Sequence, residues 1–333
     1  MPPSDDISYP VQDLIDTESG YRAPGKRAAT PLERQRNAAL RRRARIFRTI
    51  RRFFEASGYL EVETPCRIPA PAPEVHVDAP PAGDWFLQAS PELCMKRLLA
   101  SGLRRIFQIC RCFRAGERGG RHLPEMTMLE WYAVGSDYRN LMDECEQLLQ
   151  AVARELGSGE RLVYQGREVS LAAGWPRLTV QEAFAQYAPV SAEQALREGR
   201  FDEIMGLIVE PQLGLAQPVF LYDYPAACAA LARLRPDNPA VAERFELYVA
   251  GLELCNGFTE LVDVAEQRQR FDEALWQRRK LGKRVYPISE PFLADLARMP
   301  PAAGNALGLD RLVMLFVDAA TIDQVVAFTP ETL

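Results

Sequence analysis

The run FQICRCFRAGERGGRHLPEMTMLEWY, from Phe107 to Tyr132, leaves this chain few ways to fold. Ile106, Phe107, Ile109 and Cys110 on one side, and Met126, Met128, Leu129, Trp131 and Tyr132 on the other, flank a glycine-bearing polar loop, a pattern that predicts an antiparallel hairpin. Side chains alternate along a strand, so Glu130 and Tyr132 share a face of the returning strand, while Arg114, Arg121 and His122 fall at or near the turn. Cations suit an anion and acids suit an amine, so the hairpin reads as one wall of a pocket for a two-part ligand. A solvated hairpin tip would carry the same charges.

A second stretch, GNALGLDRLVMLF, places small residues before Asp310 and Arg311 and follows them with an apolar run that reads as a buried helix. Small residues let backbone and ligand approach closely, and an arginine beside them is placed for a phosphate. Upstream, ERFELYVAGLELCNGFTELVD supplies Glu246, Glu253, Asn256 and Glu260. On two strands joined by a turn at Ala250 and Gly251, Glu246 and Glu253 can converge on one magnesium ion, which prefers hard oxygen ligands with phosphates completing its shell. Two exposed strand acids are the alternative. In LQASPELCMKRLL, Ser90 is predicted to cap a helix with Pro91 in its first turn and Glu92 near its positive end, where a carboxylate is ordinarily a helix-end charge.

Together these stretches resemble motifs 2 and 3 of the class II aminoacyl-tRNA synthetases, and PEMTMLEWY and ELCNGFTELVD resemble the lysyl branch. Within that branch the chain resembles the elongation factor P lysine ligases, lysyl-tRNA synthetase paralogues without an anticodon-binding domain, from about Leu40 to the end. The implied fold is α+β, a class II catalytic domain with a central antiparallel β-sheet flanked by helices. The implied chemistry is activation of a carboxylic acid by ATP with Mg2+. By the match, Arg114 would bridge the α-phosphate and the substrate carboxylate, Arg311 would take the γ-phosphate, His122 and Arg121 the pyrophosphate end, and Glu246 and Glu253 the magnesium. Glu130, Tyr132 and Glu260 would surround an ammonium at the far end of a long side chain, with Glu92 and Asn256 toward the reacting end and Ser90 in the same amino-acid pocket, which implies lysine or an isomer.

Lysyl-tRNA synthetases generally carry glycine where this chain has Ala306, whereas the ligase paralogues resemble GxALGxDR, as here. The implied substrate is therefore (R)-β-lysine, and the implied acceptor the ε-amine of a lysine in elongation factor P. A truncated lysyl-tRNA synthetase, an amide synthetase and a non-catalytic amino-acid-binding regulatory paralogue are the rival readings. Two stretches depart from the family. FRAGE replaces FRNE, which moves the acid of the adenine region to Glu117, and HLPEMT replaces HNPEFT, which puts Met126 where adenine normally stacks on phenylalanine. Methionine can still cover an aromatic face.

Leu40, Ala44, Phe47, Ile50 and Phe54 recur at helical spacing, so a basic amphipathic helix is expected up to about Ser57, with Gly58 as its cap, a strand from Tyr59 to Thr64 and a stop at Pro65. Helix, strand and proline in that order resemble motif 1 and imply a homodimer. The eleven Lys and Arg residues between Lys26 and Arg52 face only Glu33, so this helix either exposes its arginines to solvent or docks an acidic partner. Residues 1 to 30 read as a flexible tail, residues 31–333 as the catalytic domain, and about 179–215 as a helical insertion without site residues. Only about thirty tail-like residues precede motif 1, so anticodon reading is not expected, and a net charge of -5 gives no footprint for DNA. Seven scattered cysteines argue against a disulfide framework, and no apolar run is long enough to span a bilayer, which together predict a cytoplasmic protein.

Overall fold

The computed structural model describes residues 30–333, so the expected tail lies outside the described residues apart from Thr30. Thr30 is an N-cap: it accepts from the Glu33 amide while the Glu33 side chain accepts from the Thr30 amide, opening helix α1, Pro31–Ala56. Helix α1 stops at Ala56, and Gly58 takes φ +75, the left-handed conformation that glycine adopts without strain just past a helix end.

Nine strands form the main sheet: β1 Leu60–Glu61, β2 Arg105–Phe113, β3 Glu125–Val134, β4 Arg177–Thr179, β5 Val219–Pro225, β6 Leu234–Arg235, β7 Asn238–Val249, β8 Leu252–Thr259 and β9 Ala302–Gly308. Their spatial order is β1-β2-β3-β9-β8-β7-β5-β4, with β6 on β7. The centre, from β2 to β5, is antiparallel, as expected, but β1 pairs with β2 and β4 with β5 in parallel, so the sheet is mixed at both ends. The strand expected from Tyr59 to Thr64 is reduced to β1, because the chain turns away toward Pro65 after two paired residues.

Alternation divides the sheet into a packing face and a site face. Phe107, Leu129, Trp131, Ala303, Leu307, Phe245 and Leu247 all join the largest buried cluster. Covering that face are α1, the helix α2 from Tyr138 to Leu156 and the helix α3 from Leu309 to Val317, with Phe54 stacked on Phe107 at 4.9 Å. The apolar stripe of α1 is Ala39, Ile46, Thr49, Ile50 and Phe54, while Ala44 is exposed and Leu40 and Phe47 only partly covered. The expected stripe was rotated because Arg43 occupies an inward position: its Nη1 binds Asp310 Oδ1 at 2.5 Å and its Nη2 binds Thr127 Oγ1 at 2.8 Å. Arg45 likewise donates to the Glu155 carbonyl at 2.5 Å, so not every arginine of this helix is a solvated charge.

The expected insertion contains the helix Val180–Tyr187, capped by Thr179 and Glu182, then Ala192–Arg197 and Phe201–Ile204, and it packs its own apolar cluster against Val219, Leu221 and Tyr248. Among the described residues, no helix is long and apolar enough to cross a membrane. Cys110 and Cys112 lie with their sulfurs 3.8 Å apart, and all seven cysteines are free thiols.

Candidate active site

One rung of the sheet carries much of the site. Register places Gln108 opposite Glu130, Glu130 opposite Ala306, Ala306 opposite Asn256 and Asn256 opposite Glu246. Residues directly opposite each other share a face, so all five side chains point to the same side. The next rung on that face is Ile106, Tyr132, Gly304, Phe258 and Arg244. Glycine at 304 is a steric requirement, because a Cβ there would meet Tyr132 Cε1 at 2.2 Å and Glu260 Oε1 at 2.5 Å.

Glu253 reaches the same face by a bulge. Leu247 lies opposite Cys255, yet Tyr248 lies opposite Glu253, so Leu254 is an extra residue in β8. Without it the alternation would turn residue 253 toward the packing face. The β7–β8 turn is the two-residue form expected, with Ala250 at φ 52 and Gly251 at φ 71.

A cavity of about 260 Å3 lies on this face, and both Arg114 and Arg311 line it. Glu117, Arg121, His122, Met126 and Glu253 line it as well. Arg311 donates from Nη1 to the Glu253 carbonyl at 2.9 Å, contacts Glu253 Oε2 at 3.2 Å, and meets His122 Nε2 at 2.5 Å. A guanidinium has no acceptor, so that imidazole nitrogen must carry the lone pair. Burial and the nearby Arg311 charge both push the His122 pKa down, which agrees with a neutral ring. Arg121 donates to the Gly251 carbonyl at 3.1 Å, and Arg114 Nη1 lies 3.8 Å from Glu117 Oε1.

One end of the cavity is acidic. Glu130 is fully buried; it accepts from Ser90 Oγ at 2.7 Å and from the Tyr132 hydroxyl at 2.8 Å. Burial, then the Glu92 charge, pushes its pKa up to about 7. The helix α4 runs from Glu92 to Ala100 with Pro91 at the cap position, one residue later than expected, and Ser90 Oγ still accepts from the first-turn Glu92 amide at 3.0 Å. Helix α4 carries Lys96 into the acids. Lys96 Nζ pairs with Glu92 Oε1, lies 2.5 Å from Glu260 Oε2, and is wholly buried. Burial alone would drive this ammonium toward neutrality, but Glu260 and Glu92 outweigh it and hold the Lys96 pKa up. Glu260 is pushed up as well, by burial first and by Glu92 and Glu130, because three acids share one resident ammonium. Lys96 is therefore charged, and burial reinforced by the neighbouring acids accounts for the upward shift of Glu130 and Glu260.

The sequence family described as tRNA synthetases class II (D, K and N) matches residues 25–332. This chain belongs to that family. It is 41% identical over 309 residues to an elongation factor P--(R)-beta-lysine ligase of Edwardsiella ictaluri, covering 88% of this chain and 95% of that one. A protein of the same name from Vibrio cholerae is 40% identical over 87% of this chain and 94% of its own length. A lysine--tRNA ligase of Magnetococcus marinus is 37% identical over 86% of this chain, a match spanning 62% of that enzyme.

Within this class II fold the cavity gathers Ser90, Glu92, Arg114, Glu117, Arg121, His122, Met126, Glu130, Tyr132, Glu253, Asn256, Ala306 and Arg311. Glu246 and Glu260 do not line it. Glu260 lies behind Tyr132 and Gly304 with Lys96 as its partner. Glu246 is held by Arg244 Nη2 and by the Tyr224 and Tyr248 hydroxyls, each at 2.6 Å. The two hydroxyls share Oε2 and Arg244 takes one lone pair of Oε1, which leaves one on Oε1. Beside them, burial and then Glu246 and Glu253 push the Glu210 pKa up to about 7, so the insertion does carry an acid that feels this site. Lys96, Arg244, Glu210 and Glu74, which also lines the cavity, were not foreseen as site residues. The sequence signal for Lys96 was its place four residues after Glu92, one helical turn away.

Proposed function

We propose that this chain joins ATP and a lysine-type amino acid, preferentially (R)-β-lysine, into an acyl-adenylate and transfers the acyl group to the ε-amine of a lysine in elongation factor P. The observation that carries this reading is that Arg114 and Arg311 line one cavity whose other end holds Glu92, Glu130 and Tyr132. In the first half-reaction a carboxylate oxygen attacks the α-phosphorus and pyrophosphate departs. Both reactants are anions, so fixed cations that align them supply most of what a protein can offer. Arg114 bridges the carboxylate and α-phosphate, Arg311 binds the γ-phosphate, and Arg121 with neutral His122 receives the pyrophosphate end. Met126 covers the adenine and Glu117 contacts it. In the second step the acceptor amine attacks the acyl carbon, an amide forms, AMP leaves and the amine gives up a proton.

The donor set fits Mg2+: Glu253 and the remaining lone pair of Glu246 Oε1 are hard oxygens, and both carboxylates add to burial in pushing the Glu210 pKa up. Bound there, the ion would neutralise phosphate charge. Glu130 and Tyr132 receive the far ammonium of the substrate, and Asn256, Ser90 and Glu92 its reacting end. A shorter or uncharged side chain would leave the buried acids unpaired and be rejected. Ala306 sits between Glu130 and Asn256 in the rung, so its methyl borders the substrate at the position where a shift of the amine by one carbon is felt. Elongation factor P as acceptor, a cytoplasmic location and a homodimer built on α1 and β1 complete the reading.

Amino-acid-dependent exchange of pyrophosphate into ATP, run with lysine and each β-lysine enantiomer, tests the first half. Strongest exchange with (R)-β-lysine supports the reading. Exchange with α-lysine alone, followed by charging of tRNA, would replace it with a lysyl-tRNA synthetase activity.

A further inference from the structure

An amine lies buried beside the acid end of the cavity, against Glu92, which lines it. Lys96 Nζ touches the carboxylates of Glu92 and Glu260, faces the Phe258 ring at 5.2 Å, and has no solvent exposure. A lysine this deep needs a reason, since burying an unpaired ammonium costs several kcal/mol in general and a methionine of similar length would not. Around it stand Glu92 on the same helix, Glu130 and Tyr132 on β3, and Glu260 just beyond β8, with Arg114 at the mouth. Once the ligand has displaced the remaining protons, three carboxylates and one ammonium leave the cluster two negative charges in excess. Two is the number of ammonium groups on a diamino acid whose own carboxylate goes to Arg114.

We propose that Lys96 is a specificity-determining residue of the amino-acid pocket: it ties Glu92 and Glu260 into one ion cluster, fixing their positions and setting the pocket's charge to match two ammonium groups. This rests on the reading of the cavity as an amino-acid site. Lys96 holds Glu92 and Glu260 in place before the ligand arrives and its charge favours the ionised form of Glu260, so the arriving ammonium groups have less to order and less to deprotonate. An amino acid with a single ammonium leaves one excess charge unpaired beside the cluster and is disfavoured.

The test compares the full-length protein with Lys96→Met and Lys96→Arg, by calorimetric titration with (R)-β-lysine, α-lysine and norleucine from pH 6 to 9, with ATP titrated separately. The unaltered protein is expected to prefer both diamino acids to norleucine. Lys96→Met is expected to weaken diamino-acid binding at pH 7 at least tenfold and to recover part of the loss at alkaline pH, because Lys96 lowers the pKa of Glu260 and its removal moves that ionisation upward. ATP affinity stays within twofold, which reports an intact fold, and Lys96→Arg, which keeps the charge, stays near the unaltered protein. If the unaltered protein binds diamino acids and Lys96→Met binds them as tightly with the same pH profile, the inference fails while the amino-acid site stands. If the unaltered protein binds no amino acid, the site reading fails and takes the inference with it.

Discussion

Glu130 decides how the pocket responds to pH. Its carboxyl is pushed from the ordinary 4.5 up to about 7, so the folded chain keeps a proton that the unfolded chain has lost. Unliganded stability from this group is therefore full below the ordinary value and falls as pH rises through about 7. A ligand ammonium has the opposite effect, because it pairs with the ionised form and expels the proton. Affinity for lysine-type amino acids should rise from pH 6 to 8 with proton release, detectable by calorimetry in buffers of different ionisation enthalpy; affinity flat or falling across that range would contradict the assignment of Glu130 to the amine. Gly304 makes a second residue-scale prediction. Ala at 304 must displace Tyr132 or Glu260, an overpacking cost of about 1–3 kcal/mol. Gly304→Ala should therefore weaken amino-acid binding and leave ATP binding unchanged, and equal losses for both ligands would point to general unfolding instead.

At the scale of elements, α1 is joined to the site by Arg43. Its partner Asp310 is buried, accepts from the Thr127 amide at 2.8 Å, and directly precedes Arg311. Removing the guanidinium leaves a buried carboxylate short of its cation, so Arg43→Leu should cost about 2–4 kcal/mol in urea unfolding. Exposed Arg41→Ala should change stability by less than about 0.5 kcal/mol. A smaller loss at Arg43 than at Arg41 would sink this account. Charge reversal to probe docking of an acidic partner belongs at Arg41 and Arg42, which are exposed, and not at Arg43. The hairpin β2–β3, the β7–β8 turn and the capping box at Thr179 were legible in the sequence, because alternation, paired left-handed turn residues and Thr-x-x-Glu act locally. The rotation of α1 was not, since it depends on an ion pair between residues 267 apart in the chain. Nor was the bulge at Leu254, a one-residue slip that only the pairing of two strands defines. Nor was the burial of Lys96, because Glu260 reaches it only in the folded chain.

For the whole molecule, the mixed sheet gathers residues from both ends of the chain onto one face, so that two arginines 197 positions apart in the sequence border one cavity beside a cluster of acids. The account requires both arginines for the same step. Arg114→Ala and Arg311→Ala should each lower pyrophosphate exchange by about 100-fold or more, the scale on which loss of a preorganised charge is felt. The most direct measurement is the intact mass of elongation factor P after incubation with the purified chain, ATP, Mg2+ and each lysine isomer. The account predicts addition of one β-lysyl group with the (R) isomer, and no addition with either arginine variant. An unchanged mass with every isomer, under conditions where the same preparation attaches lysine to tRNA, would contradict it.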